Sequence, residues 1–187
     1  MNFKFIFSAL LCFSALFSCK TADAQSIKEV TDNQVAECTS CDLIGEISRA
    51  QLVDNPIFNE WFSESYENYE LHSDAMKTLN DVSTENLSFK IILGTWCSDS
   101  HRDVPRFVKI LDFLNIDDKS IEYYALDAEK MSPEKIEETY SVIQVPTFIV
   151  YKKDVELNRI VEMSIRTLEE DLAIILTTND YKNVYAD

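Results

Sequence analysis

The sequence predicts one α/β domain, and three apolar patterns carry that prediction. Leu87–Leu93 is a short apolar run rich in isoleucine, which is typical of a strand buried on both faces of a sheet. Between Val104 and Leu114 apolar residues recur at three- and four-residue steps, which indicates a helix packed against that sheet. Ile121–Leu126 predicts the next strand. A chain of 187 residues with 46% hydrophobic content has room for one such domain behind an N-terminal segment.

An aromatic stripe predicts a helix upstream of the central strand. After Pro56, aromatic residues recur at helical spacing, and we assign them to core packing rather than to ligand binding. They are Phe58, Trp61, Phe62, Tyr66 and Tyr69. Residues 75–82 carry a shorter apolar pattern, which predicts either a second short helix before the strand or a continuation of the first helix.

The C-terminal half predicts a helix, two strands and a final helix. Ser132–Glu134 supply an N-cap, a first-turn proline and an acidic residue, so we expect a helix from there to about Tyr140. Thr147–Tyr151 and Arg159–Met163 predict the last two strands. Thr167–Glu170 matches a capping box, so the final helix is expected to begin there.

The N-terminus predicts export. Lys4 precedes the apolar run Phe5–Phe17, which has the length of a signal-peptide core, and we assign residues 1–18 to a signal peptide. Leu16–Cys19 resembles a bacterial lipobox, so we expect Cys19 to carry lipid and the protein to be a lipoprotein of the bacterial cell envelope that faces the periplasm. Cleavage after Ala24 is the alternative, and it would leave a soluble periplasmic or secreted protein.

Residues 19–45 are predicted to be a flexible tether, because they are polar and acidic and lack sustained periodicity. The domain is expected to span residues 46–187. The tether carries Cys38 and Cys41, which can pair as a local disulfide in an oxidising compartment. Cys97 would then remain a free thiol, which an exported protein ordinarily avoids unless the thiol is used.

The chain is strongly acidic, with a formal net charge of −16 at pH 7. Such a surface repels phosphate backbones and anionic headgroups, so we expect no nucleic-acid partner. No cofactor is expected either, because no motif in the sequence indicates one.

Cys97 stands where the predicted central strand gives way to a helix, within the segment Gly94–Ser100. The first amides of a helix lack intrahelical partners and carry a positive partial charge, so a sulfur placed there is stabilised as a thiolate. A thiolate is the form that attacks disulfides. We therefore expect Cys97 to be an accessible nucleophile, the alternative being a small buried side chain at a strand end.

Three further features belong together: Trp96-Cys97 at the start of a predicted helix, Pro105 eight residues after Cys97, and the tripeptide Val145-Pro146-Thr147. With these features the chain resembles the thioredoxin superfamily, in particular bacterial envelope proteins with a Trp-Cys-x-Asp-Ser motif. The resemblance implies a thioredoxin-like fold, with a central mixed sheet flanked by helices. It also implies a cis peptide bond before the proline of that tripeptide, facing the sulfur, with Val145 backbone groups open to an extended substrate.

The motif departs from the thioredoxin pattern at Ser100, where a second cysteine would stand. We expect the Ser100 hydroxyl to donate a hydrogen bond to the Cys97 thiolate. A charge on Asp99 opposes the thiolate, whereas His101 and Arg102 can favour it. The alternative interpretation of His101 is a lone histidine at the protein surface. Because a hydroxyl cannot resolve a mixed disulfide, release must come from the substrate's own thiol or from an outside thiol.

These residues predict a monothiol protein that exchanges disulfides with envelope proteins or peptides, by isomerisation or by thiol-dependent reduction. Three alternatives stay open. Cys38 or Cys41 could resolve the adduct on Cys97, or the domain could be a redox-inert module that binds peptides beside Pro146. Cys38, Cys41, Cys97 and His101 also have the chemistry of a zinc site, although we expect no metal.

Overall fold

The computed structural model describes residues 42–178 and 180–186, so the predicted signal peptide and Cys19, Cys38 and Cys41 lie outside the described residues. Within this part of the chain, five strands are interspersed with six α-helices. The strands are β1 (Gly45–Ile47), β2 (Leu87–Leu93), β3 (Ile121–Ala125), β4 (Thr147–Lys152) and β5 (Val155–Val161). The helices are α1 (Arg49–Val53), α2 (Pro56–Asn68), α3 (Ser73–Asn80), α4 (Ser98–Phe113), α5 (Ile136–Thr139) and α6 (Leu168–Thr177).

The five strands form one mixed sheet in the order β1-β3-β2-β4-β5. The central strand β2 pairs in parallel with β3 and antiparallel with β4. Strand β1 is antiparallel to β3, with Gly45 opposite Ala125. The chain therefore enters the sheet at the edge where β2 and β3 end. The expected fold class, a central mixed sheet flanked by helices, is confirmed.

The two faces of β2 belong to two different apolar clusters. Phe89 and Ile91 lie in the larger cluster, which includes residues of α2, α4 and α6. Ile92 lies in the smaller cluster, together with Cys97 and Val145. Burial on both faces accounts for the uniformly apolar sequence of this strand. The strand that leads to Cys97 is thus held from both sides.

Helix α5 is shorter than the sequence predicts. The predicted helix begins at Ser132, but α5 spans only Ile136–Thr139, because Lys135 takes a left-handed conformation with φ of 55°. The Ser132 hydroxyl accepts a hydrogen bond of 2.9 Å from the Ile136 amide, so this serine caps the short helix from four residues upstream. Local side-chain bonding of this kind competes with regular helix.

Strand β5 lies earlier than predicted, at Val155–Val161 instead of Arg159–Met163. Lys153 and Asp154 have φ values of 53° and 62°, so the chain reverses within two residues after β4. Such a two-residue turn leads directly into the partner strand.

The folded part of the chain begins before residue 46, the expected domain boundary. Strand β1 starts at Gly45, and the Leu43 amide donates a hydrogen bond of 3.1 Å to the Thr95 hydroxyl. A three-residue strand is too short to show periodicity, so the sequence places residues 42–45 in the tether. Among the described helices, none is long and apolar enough to cross a membrane.

Candidate functional site

Cys97 is the N-cap residue of α4, just beyond the end of β2. Its backbone is extended, with φ of −92° and ψ of 121°, as is usual for an N-cap. Its amide donates to the Gly94 carbonyl at 3.0 Å, and its carbonyl accepts from the His101 amide at 3.0 Å. The sulfur therefore belongs to the residue at which the helix begins, where unpaired amides favour negative charge.

Trp96 fixes the turn that carries Cys97. A Cβ atom at Gly94 would lie 2.7 Å from the Trp96 ring, so only glycine leaves room for the indole in its present place. The indole Nε1 donates a hydrogen bond of 2.9 Å to the carbonyl of Leu126, the residue that follows β3. The turn is thus tied to the end of the neighbouring strand.

The Cys97 sulfur lies beside the cis-proline loop. Sγ is 3.5 Å from the Val145 carbonyl oxygen, and the Val145–Pro146 peptide bond is cis, as the resemblance implies. The expectation of an open, accessible thiol is wrong, because Cys97 is only 9% exposed. It packs in the smaller apolar cluster against Ile92, Val145 and Trp96.

Ser100 does not take the place that the sequence suggests. It is fully buried, and its hydroxyl accepts a hydrogen bond of 3.1 Å from the Gly94 amide. This hydrogen bond stabilises the junction between β2 and α4. The expected hydrogen bond from the Ser100 hydroxyl to the Cys97 sulfur is not observed in this structure. Three residues along a helix bring Ser100 back over the turn that precedes Cys97.

The charge of Asp99 is compensated within the first turn of α4. Arg102 Nη1 donates to the Asp99 carboxylate at 2.7 Å, and Arg102 Nη2 donates to Asp103 at 2.6 Å. The hydrogen bond to Asp103 is the main reason that the pKa of Arg102 lies above its ordinary value. Asp99 therefore opposes a thiolate on Cys97 less than an unpaired carboxylate would.

His101 braces the loop before Cys97. Its Nε2 lies 2.6 Å from the Thr95 carbonyl oxygen, and because a carbonyl can only accept, Nε2 must carry the proton. Its ring stacks on Trp61, with centroids 4.4 Å apart and an interplanar angle of 12°. Sequence reasoning assigns Trp61 to the core and misses this contact, because no local pattern links α2 to α4.

The residues around Pro146 are held by backbone and hydroxyl contacts. Thr147 is buried, and its hydroxyl donates to the Gln144 carbonyl at 2.6 Å. The Glu162 amide donates to the Pro146 carbonyl at 2.7 Å, which ties the end of β5 to this loop. Val145 is 3% exposed, so its side chain faces inward. Of the predicted site residues, Cys97, Trp96 and Val145 meet in one cluster.

Thr95 links the site to the segment before β1, a contact that the sequence does not reveal. The Thr95 hydroxyl donates to the Asp42 carboxylate at 3.0 Å and accepts from the Leu43 amide at 3.1 Å. Thr95 is buried and precedes Cys97 by two residues. Residues 42–178 and 180–186 contain no cluster of three side chains suited to hold a metal ion.

No family model and no curated protein matches the sequence. Among solved structures, the chain is similar to a protein of unknown function from Pseudomonas aeruginosa, with 19% identity and a TM-score of 0.47 over 67% of this chain and 76% of that chain. It is also similar to Trxlp from Edwardsiella tarda, with 17% identity and a TM-score of 0.36 over 57% of this chain and 95% of that chain. A mutant thioredoxin from Halobacterium salinarum has 13% identity and a TM-score of 0.33 over 57% of this chain and 83% of that chain.

The fold and the site together define a thioredoxin-like domain. A mixed five-stranded sheet carries a cysteine at the helix start after its central strand, and the cis-proline loop just before the neighbouring antiparallel strand β4 lies beside the sulfur.

Proposed function

We propose that this protein is an exported monothiol exchanger that acts on disulfides of envelope proteins through Cys97. The observation that carries the proposal is the position of the sulfur, at the N-cap of α4 and 3.5 Å from the Val145 carbonyl of the cis-proline loop. A thiolate is stabilised by the helix amides at this position. Within the described residues Cys97 is in no disulfide.

The proposed reaction is thiol–disulfide exchange. The Cys97 thiolate attacks one sulfur of a substrate disulfide, a bond forms between Cys97 and that sulfur, and the other substrate sulfur leaves as a thiolate. Ser100 supplies a buried hydroxyl where a second thiol would stand, so the adduct waits for another thiol. If the substrate's own thiol releases it, the result is isomerisation, and if an outside thiol does so, the result is net reduction.

Exposed apolar side chains in the two segments joined at the cis-proline loop support a protein or peptide substrate. Ile143 precedes Val145 by two residues, and Met163 and Ile165 follow Glu162, whose amide bonds to the Pro146 carbonyl. Each of the three apolar side chains is about half exposed. An apolar rim beside an exchange site suits unfolded or partly folded chains, which expose apolar residues.

The place of action is part of the proposal. The signal-peptide pattern supports export, and the lipobox-like segment before Cys19 supports anchoring in the bacterial cell envelope, facing the periplasm. A lipid on Cys19 would keep the domain near membrane-bound and newly exported chains. Intact-mass measurement of the mature protein distinguishes it from a soluble protein that begins at Gln25.

The test uses a defined disulfide and a matched control. The variant Cys38→Ser/Cys41→Ser leaves Cys97 as the reacting thiol of the mature protein, and the same variant with Cys97→Ala is the control. With dithiobis-nitrobenzoate at pH 7, we expect the folded Cys38→Ser/Cys41→Ser variant to release one thionitrobenzoate per protein molecule and to gain one adduct on Cys97. The control should do neither. Absence of an adduct on the native protein would overturn the proposal.

A second candidate is a redox-inert domain that binds peptides beside Pro146. The 9% exposure of Cys97 and the buried hydroxyl of Ser100 favour it, because a nucleophile must be reached by its substrate. The same reagent separates the two functions. A thiol that reacts only after unfolding in urea identifies the binding module, whereas a thiol that reacts in the native protein identifies the exchanger.

A further inference from the structure

Residues 181–186 form a segment, here called the strap, that leads back to the cis-proline loop. Its first residue, Tyr181, is buried, and the Tyr181 hydroxyl donates to the Asp171 carboxylate of α6 at 2.9 Å. The Tyr181 carbonyl accepts from the Asn158 side chain at 2.9 Å, and Asn158 belongs to the edge strand β5. The strap is therefore anchored to α6 and to β5 at its beginning.

A turn presents Tyr185 at the other end of the strap. The Ala186 amide donates to the Asn183 carbonyl at 3.0 Å, and the Tyr185 amide donates to the Asn183 side-chain oxygen at 2.9 Å. Asparagine side chains commonly close turns in this way. Tyr185 is 42% exposed, so the turn places a large ring at the surface without burying it.

The Tyr185 hydroxyl interacts with both segments that meet at the cis-proline loop. It donates a hydrogen bond to the Glu162 carboxylate, which raises the pKa of Tyr185, whereas the Gln144 side chain acts to lower that pKa. Gln144 precedes Val145, whose carbonyl lies beside the Cys97 sulfur. The Glu162 amide donates to the loop carbonyl that follows the cis bond, at 2.7 Å. Tyr185 thus bridges the loop.

We propose that Tyr185 is a specificity-determining residue of the exchange site, and that the strap keeps extended polypeptides off the cis-proline loop until Tyr185 is displaced. This inference rests on the proposed function, since it concerns which disulfides reach Cys97. The two partners of Tyr185 are the sequence neighbours of Ile143 and Met163, the apolar residues proposed above to contact substrate. A polypeptide that packs on both has to take the place of Tyr185, whereas a small disulfide does not need these contacts.

The contact of Tyr185 can open without unfolding the domain. Its hydrogen bond to Glu162 is exposed, and a hydrogen bond that water can replace contributes little net free energy. The buried anchor at Tyr181 does not have to move. When only a fraction of a protein is in its binding-competent state, the apparent affinity falls by that fraction. The strap therefore selects chains whose apolar residues flank the disulfide, because their packing offsets the loss of the Tyr185 contact.

The test compares two disulfides in the mature Cys38→Ser/Cys41→Ser background, in which adducts form on Cys97. One is hydroxyethyl disulfide, and the other is a synthetic peptide with a single disulfide between leucine-flanked cysteines. Tyr185→Phe removes the bridging hydroxyl, and Val184→Ala, an exposed neighbour in the same turn, is the matched control. Tyr185→Phe should raise the rate of peptide adduct formation about threefold to tenfold and the hydroxyethyl rate less than about twofold, since only the peptide needs the open state.

Intact-mass kinetics give both rates, and Val184→Ala should change neither of them. A peptide rate that is unchanged or lower in the Tyr185→Phe variant overturns this inference and leaves the exchange function standing. Equal increases with both disulfides would also overturn it, because they would indicate a general loosening around Cys97. If neither disulfide forms an adduct on Cys97 in any of these proteins, the exchange function itself is wrong.

Discussion

The Arg49 guanidinium donates two hydrogen bonds to the Asp112 carboxylate, of 2.8 Å from Nη1 and 2.6 Å from Nη2. The Tyr66 hydroxyl donates another to the same carboxylate at 2.7 Å. Burial raises the pKa of Asp112, but these hydrogen bonds outweigh burial, and the pKa is lowered. One carboxylate therefore ties α4, the helix that begins at Cys97, to α1 and α2.

Replacing Arg49 with Met should lower the free energy of unfolding at pH 7 by about 1–3 kcal/mol, because a part-buried carboxylate loses its cationic partner. A lowered folded-state pKa contributes stability above the unfolded value of about 3.9, and this contribution is lost as the pH falls through the folded value. The difference between the two proteins should therefore shrink below about pH 4. Urea denaturation at pH 7 and pH 3 measures it.

Lys77→Met is the matched control, because it breaks the exposed pair with Asp74. Fully exposed pairs contribute little to stability, so Lys77→Met should change the free energy of unfolding far less than Arg49→Met does at pH 7. An Arg49→Met penalty that is the same at both pH values would show that lost packing, not the charge of Asp112, is responsible.

Gly94→Ala should destabilise the domain by about 1–3 kcal/mol, because the added Cβ would lie 2.7 Å from the Trp96 ring. The displaced indole would also lose its hydrogen bond to the Leu126 carbonyl. The same change in a Trp96→Ala background should cost much less, since the clashing ring is gone. Urea denaturation of the unmutated protein, the two single variants and the double variant measures the coupling free energy between positions 94 and 96. Additive effects of the two substitutions would contradict the assigned clash.

Ser100→Cys should shorten the lifetime of an adduct on Cys97, because a thiol then stands three residues from it in a Cys-x-x-Cys arrangement. Ser100→Ala is the control for the lost hydroxyl. It leaves the buried Gly94 amide without its acceptor and should cost about 1–3 kcal/mol of stability without shortening that lifetime. Intact-mass kinetics in the Cys38→Ser/Cys41→Ser background provide the measurement. Equal adduct lifetimes in the Ser100→Cys and Ser100→Ala variants would show that a thiol at position 100 does not reach the sulfur of Cys97.

Asp171→Asn should increase stability at pH 7. Burial raises the pKa of Asp171, which is fully buried and accepts hydrogen bonds from the Ile165 amide at 2.6 Å and the Tyr181 hydroxyl at 2.9 Å. A raised carboxyl pKa in the folded state means that stability falls as the pH rises from about 3.9 through the folded value. Asparagine keeps an acceptor oxygen without the charge.

The expected gain at pH 7 is the free energy lost by keeping this buried carboxyl charged, less the cost of burying the new amide NH2 where Oδ1 has no partner. At pH 3, where the carboxyl is protonated, the gain should vanish. Thermal unfolding across this range measures it, with the exposed Asp154→Asn as control. A gain that persists unchanged at pH 3 would rule out the buried charge as its source.

Local sequence patterns are sufficient to predict the bounds of elements that are buried along their whole length. Leu87–Leu93 forms a strand with the predicted bounds because both of its faces enter apolar clusters. Helix α5 begins at Ile136, later than predicted, because the backbone of Lys135 is left-handed. A lysine in the sequence does not indicate that conformation. The position of Cys97 follows from its place after a strand, but its burial depends on Val145, 48 residues away. Local patterns carry no signal of a contact at that separation, and only the resemblance seen in Val145-Pro146-Thr147 indicated that this loop faces the sulfur.

The antiparallel direction of β1 also determines on which side of the domain the residues before β1 are attached. Because Gly45 pairs with Ala125 and the Thr95 hydroxyl bonds to Asp42, residues 42–45 join the sheet at the edge where β2 ends, beside the loop that carries Cys97. Any group joined to the chain at Asp42 is therefore attached on the Cys97 side of the sheet and not at the opposite edge.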